Sequence, residues 1–223
     1  MQRVVEPEWL DELPAEDPRA IHSRADIRRL NWFMNNPGTV ARVLRDLPAP
    51  KRVLDLGAGD GSFALRVAQL CEWREIECVL LDRSPSVPDS VRAGFRALNC
   101  PMTVLQRDAL AGLQDAGNVE AIFSNLFLHH FKQTQLNQLL ADAAAHCRFF
   151  VACEPRRSPF ALFVSRCLGL IGCNGVTRHD APASVRAGFR GSELTQHWPV
   201  RTNWSLHERP AGLFSHLFVA CKL

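Results

Sequence analysis

Three glycines at alternate positions, Gly57, Gly59 and Gly61, interrupt the stretch Val53 to Leu65, VLDLGAGDGSFAL, between an apolar run and a segment of helical patterning. Glycine has no Cβ, so a ligand can approach the main chain closely there. A helix beginning near Ser62 would direct its unpaired N–H groups into the same space. Such a turn could hold a phosphate. The dinucleotide pattern Gly-x-Gly-x-x-Gly is not met, however: counted from Gly57 the third glycine falls on Ser62, and counted from Gly59 it falls on Ala64. Proton-transfer chemistry is offered by His129 and His130 in SNLFLHHF and by His179 beside Asp180 in TRHD. The plain alternatives are a surface or packing role for the histidine pair, and a His–Asp neighbourhood in which the two side chains do not face each other.

The elements that must position these residues follow from the hydrophobic rhythm. From Lys51 onward short β-rich apolar runs alternate with amphipathic stretches, the signature of βαβ units and a parallel sheet. Strands are predicted at 51–56, 77–81, 103–106, 119–124 and 148–153, with helices at 63–73, 89–98 and 133–144. After an irregular interval, 200–205 and 213–221 read as a closing pair joined by a turn at Pro210 to Gly212. The fold class is therefore α/β, a Rossmann-like, seven-stranded, mostly parallel sheet with an antiparallel terminal pair.

Two regions stand outside the alternation. Residues 1–47 form a helical cap on a main domain of residues 48–223, with Ser23 as N-cap of a helix ending near Met34 and Pro37 opening another. A helical insert occupies about 156–198, where Ser158 and Pro159 open an apolar helix that stops around Gly172. Both are candidate lids for the carboxyl edge of the sheet, where open α/β folds bind ligands; packing alone is the alternative. The heptapeptide SVRAGFR occurs twice, at 90–96 and 184–190, with Gly94 and Gly188 as expected helix C-caps.

The glycine stretch closely resembles the first motif of class I S-adenosylmethionine-dependent methyltransferases, Asp/Glu-x-Gly-x-Gly-x-Gly, met here by Asp55, Gly57, Gly59 and Gly61. The resemblance implies S-adenosylmethionine as cofactor, its amino-acid part lying over the glycine turn. It also implies that Asp82, in LLDRS, accepts both ribose hydroxyls, and that Asp108, in QRDAL with Ala109 beside it, lies near the adenine amino group. Asp55 could instead orient the turn, and Asp82 and Asp108 could be ordinary helix caps. Asn125, His129 and His130 fall just past the fourth strand, where the methyl group should lie. As general base we rank His130 first, then His179, then His129. The segments DPRAIHSRADIRRLNWFM, SNLFLHHF, ACEPRRSP and HDAPASVRAGFRGSEL are similar to small bacterial methyltransferases associated with type III polyketide synthases, which implies a phenolic or quinone-like acceptor, methylated on oxygen or on ring carbon. Phe127, Phe131, Phe160, Phe163, Trp32 and Phe33 would supply an apolar pocket.

Composition narrows the field. The 223 residues are 47% hydrophobic and 22% charged, ordinary values for a globular protein, and exclude disorder and coiled coil. A net charge of +3, without a basic stripe interleaved with aromatics, gives no reason to expect a nucleic-acid partner. No apolar window reaches the ~20 residues of a membrane span, so no stable membrane insertion is expected. The first twenty residues lack a signal-peptide pattern, which predicts a cytoplasmic chain. The 8 cysteines are scattered, never Cys-x-x-Cys, and predict neither a metal site nor a disulfide framework. Competing functions are a protein or RNA methyltransferase, although Asn125 is not followed by the Pro-Pro-Tyr of amino-group methylation, and a catalytically silent cofactor-binding module.

Overall fold

The computed structural model describes residues 1–14, 16–199 and 202–223. Its N-terminal part holds α1 (Trp9–Glu12), α2 (Pro18–Met34) and α3 (Asn36–Arg45). The alternating part follows as β1 (Arg52–Leu56), α4 (Ser62–Leu70), β2 (Glu77–Asp82), α5 (Asp89–Ala97), β3 (Met102–Gln106), α6 (Ala109–Ala116), β4 (Ala121–Asn125), α7 (Gln133–His146) and β5 (Phe149–Pro155). The insert contains α8 (Pro159–Arg166), α9 (Gly175–Ala187) and α10 (Glu193–His197), and the hairpin β6 (Trp204–Ala211) with β7 (Ser215–Lys222) closes the fold.

The seven strands lie in the order β3-β2-β1-β4-β5-β7-β6, the first five parallel and β7 antiparallel to both its neighbours. Because side chains alternate along a strand, neighbouring residues feed opposite layers. Leu54 and Leu56 pack with Leu113, Leu139 and Phe150 on one face. Val53 packs with Val40, Val67 and Phe123 on the other. The strand order reverses between β1 and β4, and this switch point opens a cleft at the carboxyl edge.

Local sequence explains the deviations from expectation. Ser23 does not cap α2: Asp17 does, accepting from Arg19 N at 2.8 Å ahead of Pro18, and Ser23 is buried within the helix against Thr177 at 3.0 Å. The sixth strand begins at Trp204; Val200 and Arg201, in the expected strand, lie outside the described residues. Pro210 is not in a turn but pairs with His216 inside β6, which a proline tolerates because β6 is an edge strand. The insert is helical as expected, and beyond Gly172 it continues as α9 and α10.

The two heptapeptides adopt different structures. Gly94 lies inside α5, packed on Leu65, rather than ending it. Gly188 ends α9, and Phe189 beyond it is extended, in a bridge with Arg156. A Cβ at Gly188 would stand 2.1 Å from the backbone oxygen of Pro155, so only glycine lets the insert reach the end of β5. Gly188→Ala is expected to destabilise the protein by about 1–3 kcal/mol. Gly175→Ala, where an added Cβ meets nothing within 4 Å, should shift stability by under about 0.5 kcal/mol. Denaturant unfolding of both variants measures the contrast.

Candidate active site

The cleft has a volume of about 1310 Å³ and is lined from every part of the chain that reaches the carboxyl edge. The turn after β1 forms its floor. Gly57, Gly59 and Gly61 all have positive φ, at 80°, 56° and 71°, a conformation that bulkier residues adopt only with strain. A Cβ at Gly57 would lie 2.3 Å from the Phe127 ring, whereas one at Gly59 would meet nothing within 4 Å. Gly57 and Gly59 line the cleft; Gly61 does not, and packs on Leu80 instead.

Asp82, at the end of β2, holds this turn: its Oδ2 accepts from Gly59 N at 2.8 Å and its Oδ1 from Ser84 N at 2.8 Å. Each oxygen keeps a second acceptor position toward the cleft. Asp108 follows β3, caps α6 by accepting from Leu110 N at 2.9 Å, and lines the cleft with Ala109. Asp60, also in the lining, is paired with Arg28 at 2.6 Å. Asp55 lies beneath the turn, 2% exposed and absent from the lining. Burial, followed by the nearby carboxylates of Asp82 and Asp60, pushes its pKa well above the carboxylate range, and its Oδ2 has no partner among the described residues.

The loop after β4 forms the opposite wall and depends on Glu154, which is fully buried in β5. Its Oε1 accepts from Phe127 N at 3.1 Å and Leu128 N at 2.9 Å, and its Oε2 faces His129 N at 3.3 Å and His129 Nδ1 at 2.9 Å. On its other side His129 presents Nε2 to Glu8 Oε1 at 3.4 Å, an ion-pair separation rather than an aligned hydrogen bond. Burial alone would lower the His129 pKa, but bonding to Glu154 and Glu8 outweighs it and raises the value to about 9. Burial would likewise raise Glu8, yet His129 draws it down to about 2. Glu8, His129 and His130 also bring one ligand atom each within 4.8 Å of one another, a spacing that a metal could use. The proton that His129 holds near neutral pH occupies the nitrogen such an ion would need.

His130 lines the cleft, its Nδ1 3.1 Å from Asp11 Oδ2. His179 does not line it: the ring stacks on Trp9 at 3.7 Å and bonds Asp180 at 2.8 Å, so the second-ranked base is placed elsewhere. Asn125 does line it, within an amide network in which Asn36 donates to Asn125 and Asn31, each at 3.0 Å, and Asn125 donates to Asn31 at 3.1 Å. Of the aromatic set, Phe127, Phe131, Trp32 and Phe33 line the cleft, and Phe160 and Phe163 do not. Arg157 is buried and bonded to Gly188 O at 3.0 Å and to Glu193.

Sequence reasoning missed Glu8, Asp11, Asn31 and Asn36. They come from the N-terminal 47 residues, which are tied to the insert: Val4 N donates to Arg186 O at 3.2 Å, and Trp9 N and Leu10 N donate to Asp180 at 2.9 and 3.0 Å. Nothing local in EPEWLDEL announces a partner more than a hundred residues away.

This lining suits a nucleoside that carries cations and hydroxyls. The carboxylates of Asp82 and Asp108 would repel phosphates but accept from a ribose diol or an amine, and the open Gly59 cradle admits a close backbone approach. Fold and site together define a Rossmann-like α/β protein whose cleft, at the carboxyl edge of the sheet, pairs a glycine turn with two carboxylates. Residues 53–148 match the family described as Methyltransferase domain. No curated protein matches the chain. Among solved structures it is similar to an O-methyltransferase family protein from Burkholderia thailandensis (15% identity, TM-score 0.60, 93% of this chain and 61% of that one). It is also similar to the mitomycin 7-O-methyltransferase MmcR (17% identity, TM-score 0.63, 96% and 60%). A third similar structure is the plantazolicin methyltransferase BamL in complex with a triazolic desmethylPZN analog and SAH (13% identity, TM-score 0.67, 96% and 92%). The chain thus spans about 60% of the length of those two O-methyltransferases and 92% of BamL.

The Glu8–His129–Glu154 clamp predicts a pH dependence. His129 has its pKa raised from 6.5 to about 9, so its contribution to stability is complete below pH 6.5 and is lost as pH rises through 9. Glu8, depressed from 4.5 to about 2, contributes fully above pH 4.5 and loses that contribution as pH falls through 2. Denaturant unfolding between pH 6.5 and 9.5 should show the wild type losing a few kcal/mol more than His129→Asn.

Proposed function

We propose that the protein transfers the methyl group of S-adenosylmethionine to the hydroxyl oxygen of a small aromatic acceptor, phenolic or quinone-derived. The observation that carries the reading is one cleft with two chemically different ends. Carboxylates and a bare glycine backbone lie at one end; at the other, aromatic rings surround a histidine held by an acid. When bound, S-adenosylmethionine supplies an electrophilic methyl on a sulfonium that departs as a neutral thioether.

In this reading Asp82 grips the ribose diol, Asp108 and Ala109 border the adenine, and Gly57 and Gly59 lie against the amino-acid portion. His130 is the general base. With Asp11 3.1 Å from Nδ1, Nε2 would take the proton from the acceptor hydroxyl as its oxygen attacks the methyl carbon. His129, already protonated and buried between two carboxylates, is a positioning residue. Phe127 and Phe131 pack against a flat ring, Trp32 and Phe33 stand at the mouth, and α2 and the insert form the walls beside it. A modified-peptide acceptor is the second reading, favoured by the near full-length match to the plantazolicin methyltransferase.

Two measurements test the proposal. Isothermal titration with S-adenosylhomocysteine should show Asp82→Ala weakening binding by about 10- to 100-fold. In Asp108→Asn, which keeps the helix cap and removes the charge, weaker binding with unchanged thermal stability is expected; unaltered affinity would reduce Asp108 to its capping role. Assays with labelled cofactor on a panel of phenols, quinols and azole peptides should show His130→Gln cutting kcat by about 10²–10⁴-fold with cofactor affinity intact. Full activity in that variant would remove His130 as the base.

A further inference from the structure

The structure carries large apolar side chains in solvent, and they gather at the mouth of the cleft. Trp32 is 78% exposed and Phe33 70% at the end of α2, Phe160 52% and Phe163 65% on α8, and Leu213 59% at the β6–β7 turn. Ring contacts join the three elements: Phe33 lies 6.5 Å and Phe160 5.9 Å from Phe214. Trp32, Phe33 and Phe214 also line the cleft, so the patch continues into the acceptor end without a break.

Charge separates the candidate occupants of this surface. The three segments that build it, 30–36, 156–174 and 209–216, contain no Asp or Glu, whereas they carry Arg156, Arg157, Arg166 and Arg209. Arg157 is buried; Arg156 donates to Gly212 O at 3.2 Å beside the hairpin turn, and Arg166 follows Phe163 by three residues, on the same side of α8. Exposed indole and phenyl rings on segments that themselves carry arginines and no acid complement an anionic lipid interface. There the rings enter the headgroup boundary and the arginines meet phosphates. A contact between two copies through these segments would offer their exposed arginines no acid in return.

We propose that the rim formed by the end of α2, α8 and the β6–β7 turn docks on the surface of an anionic lipid bilayer, so that a lipid-dissolved acceptor enters the cleft directly from the membrane. The second clause rests on the methyltransferase reading; the docking itself does not. No helix among the described residues is long and apolar enough to cross a membrane, so the contact is peripheral.

Co-sedimentation of the full chain with extruded vesicles tests this, using phosphatidylcholine alone or mixed with an equal share of phosphatidylglycerol. The wild type should partition onto the mixed vesicles, more weakly onto the neutral ones, and less as salt increases. Phe160→Ser combined with Phe163→Ser, two exposed positions outside the cleft lining, should reduce partitioning at least about tenfold. Arg166→Glu should abolish the preference for phosphatidylglycerol. Wild-type protein remaining in the supernatant, or a double variant that sediments like it, overturns the proposal. So does a vesicle-free dimer, seen by analytical ultracentrifugation, that the double substitution converts to monomer. S-adenosylhomocysteine binding is titrated in the same samples: cofactor bound without vesicle binding defeats the docking alone, and vesicle binding without cofactor defeats the functional reading alone.

Discussion

The wall of the cleft beyond β4 depends on one buried carboxylate. Glu154 receives three backbone N–H groups and an imidazole from the loop that follows β4, and in doing so fixes where Phe127, His129 and His130 stand. A buried charge is tolerable only when its acceptor positions are filled, and this loop fills them. His129 extends the arrangement outward by presenting its second nitrogen to Glu8. The N-terminal segment is thereby anchored to the centre of the fold by charge, even though it contributes no strand to the sheet.

The end of the cleft at the glycine turn is organised differently. Asp82 binds the turn it faces, through Gly59 N, before any ligand is present, so the glycine backbone and the carboxylate are set relative to each other by an internal bond. Asp55 sits below, where burial and two neighbouring carboxylates push its pKa up. Of the four residues that match the first motif, only Gly57 and Gly59 face the cleft; Asp55 and Gly61 shape the turn from beneath.

What the sequence makes legible follows the range of the interactions. Strand and helix alternation is written in local periodicity, and β1 to β5 appear within one or two residues of their expected limits. The glycine turn and Asp82 are legible because their spacing is short and tied to strand ends. Asp17, Ser23 and Pro210 show the next level of difficulty: each is a local signal with a competitor, and the stronger cap at Asp17 and the edge position of β6 decided the outcome. The pairing of Asp11 with His130, and of Glu8 with His129, is not legible at all, since each joins residues over a hundred positions apart with no periodicity to announce them. His179 misleads for the converse reason: its neighbour Asp180 does bond it, but both belong to the seam with the N-terminal segment, and Trp9 covers the ring.

That seam divides the protein by ancestry of contact. The glycine turn, Asp82 and Asp108 sit at the ends of β1, β2 and β3, while behind the loop after β4 the far wall is backed by a seam between two distant stretches, through Val4 with Arg186 and Trp9 with Asp180. Drift along that seam can reshape one side of the cleft while Asp82, Asp108 and the glycine turn keep their places. The two ends of the cleft are therefore free to diverge at different rates.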